Sequence, residues 1–104
     1  MIVLTTNEVP NRTVREVKGL VQGSTVQTRH VGRDIGAGFK TLVGGEIKGY
    51  SDLMMTARNI ALERMKEEAE KQGANAIIGM RYQTSQVMNS AAEVIAYGTG
   101  VVIE

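Results

Sequence analysis

The chain contains no cysteine and no tryptophan, and it has one histidine, one proline, three tyrosines and one phenylalanine. Without cysteine it can form no disulfide, thiolate metal site, thiol nucleophile or iron–sulfur cluster. The single imidazole of His30 cannot build a multi-histidine metal site within one chain. So few aromatic rings leave little surface on which nucleic-acid bases could stack.

No charge of one sign dominates the sequence. Twelve Lys and Arg stand against eleven Asp and Glu, a net charge of +1 over 104 residues. This balance argues against a dedicated nucleic-acid or anionic-membrane binder. The residues MIVLTTNEVP lack the basic start of a signal peptide, and no apolar run approaches the ~18 residues of a membrane span. We therefore expect a single cytoplasmic domain over residues 1–104 with no disulfide-linked partner.

Strand signals occupy both ends of the chain. Residues 2–6 form a short β-prone run, and residues 13–28 form a long one whose apolar parity switches near Gly19 and Gly23, which is typical of a bulged, bent strand. Residues 76–87 and 92–103 predict an antiparallel hairpin. The second arm carries a row of minimal side chains that would let a helix lie close, and an opposite row of large apolar ones that also needs cover: Ala92, Ala96, Gly98 and Gly100 against Ile95, Tyr97, Val101 and Ile103.

Residues 51–72 form the clearest helix signal, with Ser51 at the N-cap, Asp52 in the first turn and Gly73 just past the end. Its apolar positions span about 220°, against the roughly 100° that a one-sided helix needs. One interpretation is that the helix contacts its own sheet and a neighbouring subunit, with Arg64 and Glu68 paired at the seam. The alternative is a monomer whose long side chains reach solvent from the edge of the arc. A shorter helix is plausible within residues 32–45.

Several residues are candidates for ligand binding. His30 and Asp34 are the candidates for metal ligation, and they could form a site only if symmetry gathers several copies. The glycine-dense residues 32–49 invite a phosphate-loop interpretation, but they lack the spacing of a phosphate-binding loop. Four basic residues could form an anion site or a solvated surface: Arg29, Arg33, Lys40 and Lys48.

Two further patterns have a structural explanation beside a functional one. Glu63, Glu67 and Glu70 form a helical stripe that suits a hard cation but is more typical of a solvated face. The six methionines could hold Cu(I), although methionine more often fills irregular gaps in a core. No nucleophile–base–orienter set is visible, which predicts that the chain is not an enzyme.

The ordered set of glycine-containing motifs resembles the UPF0145 (YbjQ-like) family. These motifs follow one another over nearly the whole chain: Gly19-Leu20-Val21-Gln22-Gly23, Gly32-Arg33-Asp34-Ile35, Leu42-Val43-Gly44-Gly45, Gly49-Tyr50 with Leu53 and Ala57-Arg58, Gly73-Ala74-Asn75-Ala76-Ile77-Ile78-Gly79, and Glu93-Val94-Ile95-Ala96-Tyr97-Gly98-Thr99-Gly100-Val101.

The resemblance implies a small bacterial α+β domain with a dodecin-like sheet and helix, assembled into a homopentamer and labelled as heavy-metal-binding. We therefore expect an α+β fold: a mixed, mostly antiparallel sheet backed by one long helix, assembled as a homo-oligomeric ring. The expected function is non-enzymatic binding of a heavy metal or small ligand at subunit interfaces, with no identified cofactor. The alternatives are a structural or protein-interaction ring and, behind it, an enzyme or binder for a small anionic metabolite.

Overall fold

The computed structural model describes residues 1–28, 46–88 and 91–104. It contains one helix and four strands in these ranges: β1 (Ile2–Val3), β2 (Val14–Thr28), α1 (Glu46–Lys71), β3 (Ala76–Met88) and β4 (Ala91–Ile103). The strands form one sheet in the order β1-β3-β4-β2. β1 runs parallel to β3, and the other two pairings are antiparallel. The predicted α+β fold with a mixed, mostly antiparallel sheet and one long helix is confirmed, whereas the predicted helix within residues 32–45 lies outside the described residues.

β2 is bulged where the sequence predicts it. Its register against β4 shifts between Val14 and Glu16 and again between Val17 and Gly19. Gly19 takes a φ of 112°, a conformation that side chains with a Cβ rarely adopt. Because of the shifts, Val17 and Leu20 both lie on the outer face, the face turned away from α1, whereas Val21 is fully buried beneath the helix.

The helix begins earlier than the sequence predicts. It runs from Glu46, so Ser51 lies inside it and cannot be the N-cap. Serine and glycine cost a helix only ~0.5–1 kcal/mol each, too little to end one where tertiary packing favours it. The other end is as predicted, because Gly73 has a φ of 86° and its N–H donates to the Glu70 carbonyl at 3.0 Å. The Ala74 N–H donates to Ala69 at 2.9 Å, which completes a Schellman motif.

The main core lies between α1 and the inner face of β2 and β4. Its fully buried members come from these three elements and from β3: Val21, Ala57, Ala61, Met65, Ala69, Ile77, Val94 and Ala96. The closest approach is at Gly23, which the sequence suggested only as a break in β2. A Cβ added there would lie 2.7 Å from the Arg64 carbonyl carbon, and closer still to the Met65 nitrogen and the Ala61 oxygen. The helix and the edge strand therefore touch backbone to backbone.

The small residues of β4 do not all pack against the helix. Val94 and Ala96 pack in the helix-side core, but a Cβ at Gly98 would lie 2.8 Å from the Ile77 Cγ2 atom of β3. Gly98 therefore makes room for the neighbouring strand, where β3 shifts register between Ile78 and Arg81. The same shift explains why β1 ends at Val3 and not at residue 6, since Leu4 and Thr6 meet β3 only through isolated hydrogen bonds.

The outer face is covered at one end by the chain itself. Val101 and Ile103 are buried there with Val9 and Ala76. The Asn75 side chain joins this end by donating to the Ile103 carbonyl at 2.9 Å and accepting from the Ile103 N–H at 2.7 Å. Toward the other end, Ile95 and Tyr97 remain partly exposed. In the described residues no helix has the length and hydropathy of a membrane span.

We predict that Gly23→Ala lowers the free energy of unfolding by at least ~2 kcal/mol, because the new methyl group collides with helix backbone that cannot rotate away. Urea unfolding followed by circular dichroism measures the loss. Ser24→Ala, at the exposed neighbouring position, is the control and should change stability by less than ~0.5 kcal/mol. Equal effects of the two substitutions would contradict the backbone contact.

Candidate functional site

The metal-ligand candidates from the sequence, His30 and Asp34, lie outside the described residues, as do Arg29, Arg33 and Lys40. Of the glycine-dense segment, residues 46–49 form the first turn of α1. The described residues therefore bring none of these candidates together, and metal ligation by His30 and Asp34 stays a prediction.

The helical carboxylate stripe is a solvated face. Glu63, Glu67 and Glu70 are all exposed, and the Lys66 Nζ atom lies 3.5 Å from Glu63 Oε1. Within residues 1–28, 46–88 and 91–104 there is no group of three or more His, Cys, Asp or Glu that could hold a metal ion. A site for a hard cation on this face is not supported.

The methionines for which burial is described are mostly core residues. Met65 is fully buried, and Met54 and Met80 are nearly so. Met55 is the exception among the helical methionines, with 52% of its surface exposed. Met1 is also exposed, so the core-filling interpretation holds for three of the five and not for Met1 or Met55.

The sequence did not reveal a groove of about 530 Å³ at the outer edge of β2, which has no neighbouring strand among the described residues. Three elements line it: Leu20, Gln22, Gly23 and Ser24 from β2, Arg64 and Glu68 from α1, and Glu93 and Ile95 from β4. The groove exists because Gly23 lets α1 approach β2 so closely that side chains one helical turn apart reach around the strand edge. The one sequence signal was that Arg64 and Glu68 fall inside the apolar arc of the helix.

Hydrogen bonds to the edge strand hold the helix side of the groove. Arg64 Nη1 donates to the Ser24 carbonyl at 2.7 Å. Gln72 Nε2 donates to the Leu20 carbonyl at 3.4 Å and to Glu68 Oε1 at 3.3 Å. In the described part of the chain Arg64 and Glu68 therefore bond to other groups and not to each other. Their pairing at a seam between subunits stays a prediction. The reason is that edge carbonyls without a neighbouring strand are strong acceptors.

The lining of the groove suits a small polar ligand. It combines one guanidinium, two carboxylates, the Gln22 amide and two apolar side chains, Leu20 and Ile95. The carboxylates of Glu68 and Glu93 are hard oxygen donors, and two of them are too few to complete the coordination shell of a divalent cation. Soft metals prefer thiolate or thioether ligands, which this lining lacks.

Comparison with known proteins assigns the family. A family model described as "Putative heavy-metal-binding" matches residues 1–104. A UPF0145 protein of Thermotoga maritima is 58% identical over 100% of this chain and 98% of its own length. Another, from Halalkalibacterium halodurans, is 60% identical with the same coverage.

The chain belongs to the UPF0145 family. The resemblance seen in the glycine-containing motifs is thereby confirmed. The names of these UPF0145 relatives state no enzymatic activity.

A solved structure supports the fold. A crystal structure of a protein of unknown function from Pediococcus pentosaceus, of the DUF74 family, aligns with a TM-score of 0.60 at 20% identity. The alignment covers 100% of this chain and 98% of that one. At this identity the likeness shows the shared α+β fold alone.

We predict that Arg64→Met lowers the free energy of unfolding by ~1 kcal/mol, because it keeps the aliphatic stem and removes the hydrogen bond to the Ser24 carbonyl. Arg58→Met, on the same helix, is the control for loss of charge and should cost less. Denaturant titration measures both, and an Arg64→Met protein as stable as the Arg58→Met protein would show that the contact contributes nothing.

Proposed function

We propose that this UPF0145 protein is a non-enzymatic binding module that works as a homo-oligomeric ring and takes up a small ligand or metal ion where copies meet. The observation that carries the proposal is the groove at the β2 edge. It is polar and charged, and it lies beside a row of exposed apolar side chains that one copy leaves uncovered.

The exposed apolar row supports assembly. Four side chains of the outer face of β2 are exposed by 37–65% of their surface: Val14, Val17, Leu20 and Val26. Burying a side chain of this kind contributes ~1.5–3 kcal/mol relative to leaving it in water. A row along one strand is therefore a substantial driving force for association.

The shape of the chain supports the same proposal. The structure measures 50 × 21 × 19 Å with a radius of gyration of 16.0 Å. A compact domain of about 100 residues has a radius of gyration near 13 Å. The excess fits what residues 1–28, 46–88 and 91–104 show, since in these ranges a sheet with 15-residue and 13-residue strands packs against one helix and part of its outer face has no second layer.

A second copy at the groove would supply the metal ligands that one copy lacks. Glu68 and Glu93 supply two carboxylates, and a metal ion would need further ligands from a neighbouring copy. The family description favours a metal. The small-ligand version relies on the guanidinium and carboxylates, which suit a molecule that carries both an amine and an acceptor group.

The specific arrangement of the ring comes from the family resemblance. A dodecin-like pentamer is part of the proposal.

The second candidate, a structural or protein-interaction ring, is favoured by the lack of a metal-ligand cluster in the described residues. An enzyme or binder for a small anionic metabolite is the weakest candidate and would rely on Arg64.

Light scattering after size exclusion tests assembly. We expect a mass that is a multiple of the 11.3 kDa chain, and five times that mass for the pentamer. The apolar row is the physical reason, so Leu20→Lys should shift the distribution toward smaller species. A cooperative melt at a mass of one chain would contradict the proposal.

Calorimetric titration with Zn²⁺, Ni²⁺ and Cu⁺ tests the metal version. We expect heat with the wild type and at least a tenfold weaker affinity for a Glu68→Gln, Glu93→Gln double variant, since loss of two ligands removes most of the site. Glu67→Gln, on the solvated face, is the matched control and should bind as the wild type does. His30→Ala tests the other candidate ligand, and no heat in any of these proteins would leave the structural ring as the better account.

A further inference from the structure

The sheet has two edges without a neighbouring strand among residues 1–28, 46–88 and 91–104. β2 forms one edge over its whole length. On the other side, β1 pairs only with Ala76 and Ile77, and isolated hydrogen bonds from Leu4 and Thr6 reach no farther than Met80. Beyond that point β3 is itself an edge.

Both free edges lack the protection that monomeric sheets use. The charges of β2 (Arg15, Glu16 and Lys18) and both of its register shifts fall before Leu20. There Lys18 Nζ lies 2.8 Å from Glu16 Oε1 and lowers the pKa of that carboxyl. From Leu20 to Thr28, and again from Tyr82 to Met88, there is no charged residue and no proline. β3 itself shifts register between Gln86 and Met88. Charge, proline and bulges normally keep an edge from pairing with another chain, so Leu20–Thr28 and Tyr82–Gln86 are the segments open to pairing.

The two unprotected edges lie at the same level of the sheet. β4 stands between them, with Gly23 opposite Ala96 and Ala96 opposite Tyr82. At the far end Ala91 is the partner of both Thr28 and Met88. Because β2 and β3 are both antiparallel to β4, the two edges also run in the same direction.

We propose that the Gly23–Gln27 edge of β2 pairs, as a parallel strand, with the Tyr82–Gln86 edge of β3 in a second copy of this chain. The inference rests on the proposed homo-oligomer and states how its copies meet. Copies related by a rotation about an axis along the strands bring these edges together at one level. The contact joins two different surfaces, so it repeats from copy to copy and closes into a ring.

The pairing places the groove at the seam. Gly23 and Ser24 line the groove from the paired part of β2, so β3 of the second copy borders the groove there. Arg64 and Gln72 bond to the Ser24 and Leu20 carbonyls of this edge. Residues two apart on a strand present their backbone groups to the same side, so those of Val26 face the second copy too. Each carbonyl keeps a second lone pair for the incoming strand.

Cysteine cross-linking tests the pairing without background, since the natural chain has no cysteine. Val26 and Ser85 are exposed and are both partners of Glu93, so they lie on the same outer face at the same level. Within one chain they are two strand spacings apart, ~10 Å, too far for a disulfide. Across the proposed seam they belong to adjacent strands, ~5 Å apart, which is within disulfide range.

We expect the Val26→Cys, Ser85→Cys double variant to give a ladder of cross-linked multimers on a denaturing gel after mild oxidation. A second double variant, Val26→Cys with Gln83→Cys, covers a register shift of two residues. Each single variant should remain uncross-linked. A refolded mixture of the Val26→Cys and Ser85→Cys single variants should give dimers only. Circular dichroism of each variant confirms that it is folded.

Three outcomes would overturn the pairing. A multimer by light scattering in which neither double variant cross-links shows that copies meet elsewhere, and the proposed function survives. Dimers of the Val26→Cys single variant show that β2 pairs with β2 about a two-fold axis. A protein with the mass of one chain removes the pairing and the homo-oligomer together.

Discussion

The backbone contact between α1 and β2 at Gly23 determines most of the remaining structure. Because nothing larger than hydrogen fits there, the helix is seated on the edge strand and not over the centre of the sheet. This position buries Ala61 and Met65 and brings Arg64 and Glu68 to the free edge. The position of the helix therefore accounts for the groove, for its charged lining and for its being open on the side of the β2 edge.

A consequence of this seating is an unevenly covered sheet. α1 covers the inner face of β2 and β4, and the N-terminal residues cover only one end of the outer face. In the part of the chain that the structure describes, an apolar row on β2 remains uncovered beside two edge segments without charge, Leu20–Thr28 and Tyr82–Gln86. Each of these features is unfavourable for an isolated chain, and all three are relieved by adding a second copy to the sheet. Assembly and ligand uptake are therefore proposed for the same part of the molecule.

The sequence predicted the elements whose signals are local. Gly73 ends the helix because only a residue that tolerates positive φ suits that position, and the parity switch near Gly19 predicted the bulge. The helix start was wrong because Ser51 is an adequate cap but equally tolerable inside a helix. The groove could not be predicted, since it depends on a contact between Gly23 and residues about 40 positions later, which no local pattern encodes.

Amide hydrogen exchange of β2 tests most directly whether copies share this edge. Gln22, Ser24 and Val26 alternate with Val21, Gly23 and Thr25, and the two sets of N–H groups point to opposite sides of the strand. The account predicts that Ser24 and Val26 of the first set are protected to a similar degree as β4 in the assembled protein. Rapid exchange of the amides of Ser24 and Val26, while β4 stays protected, would show that the edge faces water and would contradict the account.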